Sequence, residues 1–421
     1  MEKRTKQSMT ETIDLASPFK LPCGAVIPNR FLKSAMSEQL GTRHHDPVPG
    51  LARVYERWAK GGVGLNMSGN IMIDRTALGE PKNVVLDDQS DLAAFRNWTR
   101  AATTCGSHFW AQLNHPGKQI PSFLAKEPVA PSAVPLGRGL EKAFNTPRAL
   151  EESEILEIIQ RFAAAAALAK EAGFTGVQIH GAHGYLVSQF LSPRHNQRED
   201  QWGGCLENRM RFVLEIYRAI RERVGAAFPV GIKLNSADFM KDGFSETDSM
   251  AVVDQLAQAG MDLIEISGGT YENPSMMGSL KNQVKESTRN REAYFMDYAE
   301  KVRRVATAPL AVTGGFRSAR GMQAALDSGA TDFVGLARPL VLVPDLPQRV
   351  LADPDYTLDL ASPTTGIKNL DKSLGIGLVW FEQQIHRMAR GKDPKKNLSA
   401  WRTVWMQLAG MGATSFKRRR A

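Results

Sequence analysis

Two histidines and a tyrosine stand close together in residues 178–185, which read QIHGAHGY. His180 and His183 lie three residues apart, and Tyr185 follows two residues later. The apolar run before them predicts a buried strand that delivers these side chains at its carboxyl end, and Gly181 and Gly184 give the backbone the freedom for a tight turn. Two imidazoles can donate hydrogen bonds to one oxygen, and a phenol can give up a proton. This combination suits the reduction of a double bond conjugated to a carbonyl group.

The same segment resembles the end of the fourth barrel strand in the old yellow enzyme family of flavin-dependent ene-reductases. That family carries H-x-x-N or H-x-x-H there, followed by G-Y-L, and the matching residues here are His180, His183, Gly184, Tyr185 and Leu186. The similarity continues through SQFLSP at 188–193 and then through Gly203, Gly204, Glu207, Asn208 and Arg209.

The resemblance implies an FMN-dependent oxidoreductase. It would pass hydride from NADH or NADPH, through the flavin, to the C=C bond of an α,β-unsaturated carbonyl compound. His180 and His183 would bind the carbonyl oxygen of this small-molecule electrophilic alkene, and Tyr185 would protonate its α-carbon. The nicotinamide is then a cosubstrate that reduces the flavin and leaves.

A repeated alternation of short apolar runs and helical patterns predicts the fold. Eight such runs are separated by segments with helical spacing, which favours a (β/α)8 TIM barrel over a doubly wound sheet. Strands are expected at 31–36, 62–71, 108–113, 176–180, 230–234, 263–267, 310–313 and 333–336. Helix boundaries are indicated by Gly173 after one helix and by Ser245 and Ser318 before two others.

The chain divides into a predicted barrel over 18–350 and a predicted C-terminal helical extension over 351–421. An N-terminal hairpin within 18–31 is expected to cap the barrel, and the extension ends in a basic tail. Apolar and aromatic residues near 380–388 and 401–408 predict helices that cover either the barrel or a neighbouring subunit in a homo-oligomer. Two long loops, at 114–150 and 270–293, are expected to act as lids or substrate walls.

Active sites of such barrels lie at the carboxyl ends of the strands, where the resemblance implies the following cofactor-binding residues: Ala35, Met36, Ser37, Gly69, Gln112, Lys233, Gly314, Gly315, Gly335 and Arg338. Ser37 would bond near the flavin carbonyl and N5 edge, Gly69 would let the ring approach closely, and the Gln112 amide would face the pyrimidine. His115 and Lys118 follow Gln112. His115 is expected either to be structural or to line the pocket, and Lys118 stands where the family has arginine.

A cation within an apolar strand is the second signal for the flavin. Lys233 is costly to bury unless an anion compensates it, and reduced flavin becomes anionic. The glycines of the last two strand ends could cradle a phosphate with their backbone amides, while Arg338 would add positive charge.

Composition limits the other functional classes. The chain has 421 residues and a formal net charge of +9, part of it near the two ends. No nucleic-acid recognition motif accompanies this charge, and no apolar run reaches membrane-spanning length, so a cytoplasmic location is expected. The cysteines at 23, 105 and 205 are too far apart for a metal or iron–sulfur site.

Three alternatives remain at this level. A flavin-dependent amine dehydrogenase or demethylase would share the cofactor, although such relatives usually carry an iron–sulfur segment. A flavin-free phosphate-binding barrel, a lyase or isomerase, could use Lys233 as a Schiff-base lysine. A protein that only stores flavin would bind the cofactor without catalysis.

Overall fold

Eight parallel strands close into a barrel in this computed structural model, which describes residues 13–272, 295–360 and 363–406. The barrel strands, numbered 1 to 8 in chain order, are Phe31–Lys33, Leu65–Met72, His108–Asn114, Gly176–Gly181, Val230–Asn235, Leu263–Ser267, Leu310–Thr313 and Phe333–Leu336. Each strand pairs with the next one along the chain, and strand 8 pairs with strand 1 through Val334 and Phe31. The predicted (β/α)8 architecture is confirmed, with each strand at its predicted place.

An antiparallel hairpin precedes strand 1, as predicted, and consists of Phe19–Lys20 and Val26–Ile27. The backbone amide of Cys23 in its turn donates to Asp262 Oδ1 at 2.8 Å, and Asp262 directly precedes strand 6. The hairpin therefore lies at the amino-terminal end of the barrel. Its apolar residues join an inner cluster with residues of the strands, namely Leu21, Ile27, Leu32, Leu65, Met67, Trp110, Leu263, Ala311 and Phe333.

Helices surround the strands and bury their apolar faces on them. The longer ones are Pro49–Lys60, Leu92–Ala102, Glu152–Glu171, Leu206–Val224, Glu246–Gln258, Met296–Arg303 and Ala319–Asp327, and short ones are Leu186–Leu191, Arg338–Leu342 and Leu346–Ala352. Their boundaries follow the predicted signals. Ser245 Oγ accepts from the amide of Asp248 at 3.0 Å, and Ser318 Oγ accepts from the amide of Gly321 at 3.0 Å. Each hydroxyl satisfies an amide that the first helical turn leaves unpaired.

The C-terminal extension returns to the barrel. It contains the helices Lys368–Ser373 and Ile376–Ala389 and a helical segment at 400–406. Trp380, Phe381, Ile385 and Met388 belong to the same buried core as the helices around the barrel. His386 Nε2 lies 2.7 Å from the carbonyl oxygen of Glu38, which follows strand 1. The helix Ile376–Ala389 is thereby fixed beside the carboxyl ends of the strands.

Of the two long loops, the structure describes all of 114–150 and only the first residues of the second. The first loop carries a short parallel pair, Val129–Ala130 and Arg148–Ala149. Residues 273–294 lie outside the described part of the chain, as do the basic ends at 1–12 and 407–421. Within the described residues, no helix has both the length and the apolar character needed for a membrane span.

Candidate active site

A cavity of about 360 Å³ opens at the carboxyl ends of the barrel strands. Its volume falls in the range of about 300–1,000 Å³ that is usual for small-molecule sites. All the predicted site residues except Gly69 line it, namely Ala35, Met36, Ser37, Gln112, His180, His183, Tyr185, Lys233, Gly314, Gly315, Gly335 and Arg338. The structure therefore brings together residues that are far apart along the chain.

His180 ends strand 4 with a defined tautomer. The amide of Ala182 donates to its Nδ1 at 3.3 Å, so in the neutral ring the proton is on Nε2. Burial, followed by the neighbouring His183 and Lys233, lowers the pKa of His180 well below its usual value. The ring is therefore neutral near pH 7 and presents a single N–H donor.

His183 is held in a conformation that few residues with a side chain adopt. Its φ is 63°, in the left-handed region, and its amide donates to Asn235 Oδ1 at 3.2 Å. Ser267 Oγ lies 2.8 Å from His183 Nε2, and a hydrogen donated by this hydroxyl leaves the ring proton on Nδ1. Burial and the charge of Lys233 lower the pKa of His183 to about 3. The strained backbone places a second neutral imidazole 5.1 Å from the first, measured between ring centroids.

Tyr185 completes the predicted group. The turn before it requires Gly184, which has a φ of 78° and where a Cβ would lie 2.8 Å from Gln119 Oε1. The Tyr185 ring centroid lies 4.8 Å from that of His180. Burial raises the pKa of Tyr185 well above its usual value, and nearby Tyr271 and Glu80 raise it further. The phenol is therefore protonated throughout the ordinary pH range.

Lys233 does not stand alone in strand 5. Its Nζ lies 3.0 Å from Glu265 Oε1 in strand 6, and both side chains are almost fully buried. Glu265 also accepts from Thr313 Oγ1 at 2.7 Å and from Gln178 Nε2 at 2.8 Å. Burial raises the pKa of Glu265, but the Lys233 charge and these hydrogen bonds outweigh that effect, so its pKa is lowered. The buried lysine thus has a protein anion as partner, which the sequence interpretation missed.

Gln112 joins this network at its other end. Its amide donates to Gln178 Oε1 at 2.7 Å, and Gln178 donates to Glu265 in turn. On the opposite side, Ser34 Oγ and Thr313 Oγ1 lie 2.7 Å apart. A connected polar chain therefore crosses the barrel beneath the cavity and fixes the orientation of the Gln112 amide.

The ends of strands 7 and 8 form the part of the cavity predicted to hold a phosphate. Gly314 and Gly315 have φ values of 101° and 104°, which residues with a side chain rarely adopt. The guanidinium of Arg338 lies 6.0 Å from the ring centroid of Phe381, on the C-terminal helix. Gly335 also lines the cavity, but it is required for packing, because a Cβ there would lie 1.9 Å from Thr313 Oγ1.

Gly69 lies elsewhere. Its amide donates to Glu38 Oε1 at 3.0 Å, and a Cβ at this position would lie 1.9 Å from Glu38 Oε2. The glycine makes room for this buried carboxylate, which also accepts from Tyr55 Oη and pairs with Lys33 at 3.7 Å. Gly69 thus faces this carboxylate and does not line the cavity, and its role beside a flavin ring stays a prediction.

Two carboxyl groups that the sequence interpretation did not single out also line the cavity, Glu80 and Glu382. Ser37 Oγ donates to Glu80 Oε2. Burial raises the pKa of Glu80, and the charge of Glu38 adds to this rise. On the C-terminal helix, burial and then the charge of Glu80 raise the pKa of Glu382 to about 8. Glu382 is thus largely protonated near pH 7 and can act as a hydrogen-bond donor.

The two residues left open after Gln112 are structural. His115 does not line the cavity, and its buried Nδ1 accepts from the amide of Gly117 at 3.1 Å. Lys118 Nζ donates to the carbonyl oxygen of Val134 at 2.8 Å and lies 2.9 Å from His195 Nδ1. Burial lowers the pKa of Lys118 to about 8. The lysine therefore ties the 114–150 loop to the segment that follows strand 4.

Comparison with known proteins identifies this arrangement. The model of the NADH:flavin oxidoreductase / NADH oxidase family matches residues 14–354. The chain belongs to this family. It is 39% identical over 384 residues to the NADH-dependent flavin oxidoreductase iliE of Hypocrea jecorina, covering 85% of this chain and 95% of that protein.

Solved structures agree with this assignment. The old yellow enzyme homologue from Zymomonas mobilis aligns with a TM-score of 0.69 and 26% identity, over 84% of this chain and 95% of that one. Morphinone reductase aligns with a TM-score of 0.68 and 26% identity, over 85% of this chain and 93% of that one. The protein is therefore a flavin-dependent oxidoreductase of the old yellow enzyme type, which uses FMN as cofactor and NAD(P)H as reductant.

The residues around the cavity fit FMN. The cavity is lined by a glycine pair in a conformation suited to cradling a phosphate and by the guanidinium-bearing Arg338. An oriented amide and a lysine, both joined to the polar network, line it as well. We therefore assign phosphate binding to Gly314, Gly315 and Arg338, and ring binding to Gln112 and Lys233, as a proposal. The membership in a flavin-dependent family leaves no support for the flavin-free barrel, and Lys233 is engaged with Glu265 rather than free for a Schiff base.

Proposed function

We propose that the enzyme passes hydride from NAD(P)H, through FMN, to the C=C bond of an α,β-unsaturated carbonyl compound. The observation that carries this proposal is the group of two neutral imidazoles and one protonated phenol on one wall of the cavity. His180, His183 and Tyr185 all line it, and the ring centroid of His180 lies 5.1 Å from that of His183 and 4.8 Å from that of Tyr185.

The two histidines supply hydrogen bonds rather than charge. Each neutral ring has one N–H: His180 Nδ1 accepts from the Ala182 amide, which leaves its Nε2–H as donor, and His183 has Nδ1–H as donor when its Nε2 accepts from Ser267. We propose that these two donors bind the substrate oxygen. Two such donors on a carbonyl oxygen stabilise the negative charge that develops there when the β-carbon accepts hydride. Bound FMN supplies that hydride after reduction by the nicotinamide.

Tyr185 supplies the proton. Protonation of the α-carbon requires a donor that is fully protonated at working pH, and the raised pKa of the buried phenol meets that condition. Tyr185 Oη would then become a phenolate, which the buried site must stabilise.

The first test is Tyr185→Phe. We expect reoxidation of the reduced flavin by an enone to slow by about 100- to 10,000-fold, since that is the usual contribution of a general acid. Reduction of the flavin by NAD(P)H should remain near the wild-type rate, because it needs no proton from Tyr185. Stopped-flow absorbance measures both steps, and equal slowing of the two would refute the role of Tyr185 as proton donor.

The second test concerns the histidines. The double variant His180→Ala with His183→Ala should lose the charge-transfer band that a bound phenolate forms with oxidised flavin, because both hydrogen-bond donors to its oxygen are gone. Phenol titrations followed by absorbance measure this. Phenol binding at the wild-type affinity in the double variant would exclude the oxygen-binding role.

Oxidation of an amine is a second candidate function. Glu80 and Glu382 line the same cavity, and although burial raises the pKa of both groups, a bound ammonium group would favour their carboxylate forms. A panel of enones, nitroalkenes and amines mixed with the reduced and oxidised enzyme separates the two functions. Reduction of the flavin by an amine would favour the second, and reoxidation by an enone favours the first.

A further inference from the structure

A second phenol lies directly beside the proposed proton donor. Tyr271 follows strand 6 on the loop that begins at residue 268, and it lines the cavity. Its Oη lies 2.9 Å from Tyr185 Oη. The Tyr271 ring centroid lies 5.9 Å from that of Tyr185 and 6.2 Å from that of Phe144, in the 114–150 loop. The two active-site loops therefore meet at this tyrosine.

The hydrogen bond between the phenols has a direction that catalysis would fix. Each hydroxyl has one hydrogen to donate. If Tyr185 gives its hydrogen to substrate carbon, that hydrogen must point into the cavity, and the Tyr185 oxygen is then free to accept. Among the described residues, Tyr271 is the group that hydrogen-bonds to this oxygen.

We propose that Tyr271 is a positioning residue for proton transfer: its hydroxyl donates to Tyr185 Oη, keeps the Tyr185 hydrogen directed to the substrate, and stabilises the phenolate formed. This inference rests on the proposed reduction of an α,β-unsaturated carbonyl compound. The O–H bond of Tyr185 breaks and a C–H bond forms at the α-carbon, while the electron pair of the O–H bond stays on the Tyr185 oxygen. The C–H bond at the β-carbon would form with hydride supplied by bound reduced FMN, so that the alkene is reduced and the flavin is oxidised. The phenolate then recovers a proton from water.

The surroundings of Tyr185 explain why a donor is needed. Burial, then Tyr271 and then Glu80, disfavour the phenolate form of Tyr185. The Tyr271 contribution is that of Tyr185 donating to Tyr271, and it reverses when Tyr271 is the donor, an exchange open to two hydroxyls 2.9 Å apart. Burial likewise raises the pKa of Tyr271 to about 12, so Tyr271 keeps its own hydrogen and can donate it. A protonated neighbour at hydrogen-bonding distance is therefore in place to offset part of the cost of forming a buried phenolate.

The test is Tyr271→Phe, which removes the hydroxyl and keeps the ring that packs against Phe144 and Tyr185. A matched control is Tyr298→Phe. Tyr298 is also buried, with its Oη 2.6 Å from Ser249 Oγ, but it does not line the cavity. Each variant, loaded with FMN and reduced with NADH, is mixed in separate experiments with an enone and with a quinone. The quinone is protonated on oxygen, so it does not need the carbon acid.

For Tyr271→Phe we expect reoxidation by the enone to slow about 10- to 100-fold, from the loss of one hydrogen bond to a charged oxygen. Two rates should stay within about twofold of wild type, namely reoxidation by the quinone and reduction by NADH. The affinity for para-hydroxybenzaldehyde, measured from flavin spectral shifts, should stay within the same range, since no contact of the histidines is altered. Tyr298→Phe should leave the ratio of enone to quinone rates unchanged.

The outcomes separate the inference from the function on which it rests. If the wild-type enzyme reduces the enone and Tyr271→Phe does so at the same rate, the role of Tyr271 is overturned and the proposed function stands. If enone and quinone rates fall together, Tyr271 is only structural, which also overturns it. If the wild-type enzyme reacts with quinone but with no enone, the proposed function fails and the inference fails with it.

Discussion

Removal of the positive charge of Lys233 should destabilise the barrel unless Glu265 is neutralised at the same time. The two groups form an ion pair at 3.0 Å between strands 5 and 6, with side-chain exposures of 4% and 0%. In Lys233→Met the carboxylate of Glu265 keeps its hydrogen bonds from Thr313 and Gln178 but loses its counter-charge.

The expected cost follows from the burial of the pair. Loss of one partner of a buried ion pair costs about 3–5 kcal/mol, because it leaves an uncompensated charge, whereas replacement of both by apolar or neutral groups is often close to neutral. We therefore expect the double variant Lys233→Met with Glu265→Gln to recover most of the free energy of unfolding lost in Lys233→Met. The interaction energy of this double-mutant cycle should be about 2–3 kcal/mol.

Chemical unfolding of the flavin-free protein measures these differences without a contribution from cofactor binding. The matched control is Lys60→Met, which removes an exposed lysine whose Nζ lies 2.6 Å from Glu56 Oε1. A surface pair of this kind contributes little to stability, because solvent screens its charges. Similar losses in Lys60→Met and Lys233→Met, or strictly additive effects in the cycle, would refute the interpretation of Lys233 and Glu265 as a coupled buried pair.

The pH dependence of the free energy of unfolding tests independently whether the Glu265 carboxylate destabilises Lys233→Met. In the wild type the pKa of Glu265 is lowered, so its contribution to stability is present above the pKa of the unfolded chain and is lost as pH falls through the folded value. In Lys233→Met, burial without the lysine raises the pKa of Glu265, so stability is lost as pH rises. The deficit of Lys233→Met should therefore be largest near pH 8 and shrink toward pH 5. A deficit that is constant with pH would place the loss outside Glu265.

Three further predictions concern other parts of the site. In Glu382→Gln the free energy of unfolding should fall less between pH 5 and 9 than in the wild type. Burial raises the pKa of Glu382 from 4.5 to about 8, so the wild-type folded state loses stability as pH rises through this range. Equal pH slopes in thermal unfolding of the two proteins would contradict this. Glu272→Gln should speed limited proteolysis of the 114–150 loop. Glu272 Oε1 accepts from the amide of Gly137 in that loop at 3.0 Å and lies near the charge of Lys118. Cleavage at the wild-type rate would show that the charge of Glu272 does not stabilise the loop. Gly314→Ala should weaken FMN binding at least about tenfold, because the φ of 101° at this position strains a residue with a side chain. The control Gly329→Ala has a φ of 68° and no atom within 4 Å of a Cβ, and it should leave FMN affinity in fluorescence titrations unchanged. Equal affinities in both variants would count against a backbone phosphate cradle.

The barrel strands and the functional residues at their carboxyl ends could be predicted from the sequence, because each is marked by residues that are neighbours in the chain. Each barrel strand is a short apolar run, and a parallel strand buried on both faces produces such a run by itself. The segment from His180 to Tyr185 could be recognised for the same reason. Its residues are close together in the sequence, so the turn at Gly184 can bring them to one wall of the cavity.

The partners of these residues were not accessible, because they come from distant parts of the chain. Glu265 is 87 residues from Gln178, and Tyr271 is 86 residues from Tyr185. A lone acidic residue in the apolar strand 6 was a signal of the same kind as Lys233 in strand 5, and it could have been read as the counter-charge. No comparable signal marks Tyr271, since a tyrosine in a polar loop has many roles.

Gly69 shows why a small residue at a strand end is ambiguous from sequence alone. A glycine leaves room for a close neighbour of any kind, and a close neighbour of Gly69 is the Glu38 carboxylate. Lys33 is a second buried cation in the barrel interior, and the Glu38 carboxylate is its counter-charge. Lys33 also donates to Tyr55 Oη at 2.8 Å. The sequence interpretation considered the charge of Lys233 and gave no account of Lys33, so it did not anticipate the Glu38 carboxylate beside Gly69.

The C-terminal extension changes the chemistry of the cavity as well as covering it. Phe381 and Glu382 are adjacent on the helix Ile376–Ala389, and both line the cavity, one beside Arg338 and the other near Glu80. The helix is fixed to the barrel by its apolar face and by the contact of His386 with the backbone of Glu38. A displacement of this helix would therefore remove from the cavity both a protonated carboxyl group and the aromatic neighbour of Arg338, the residue proposed to bind phosphate.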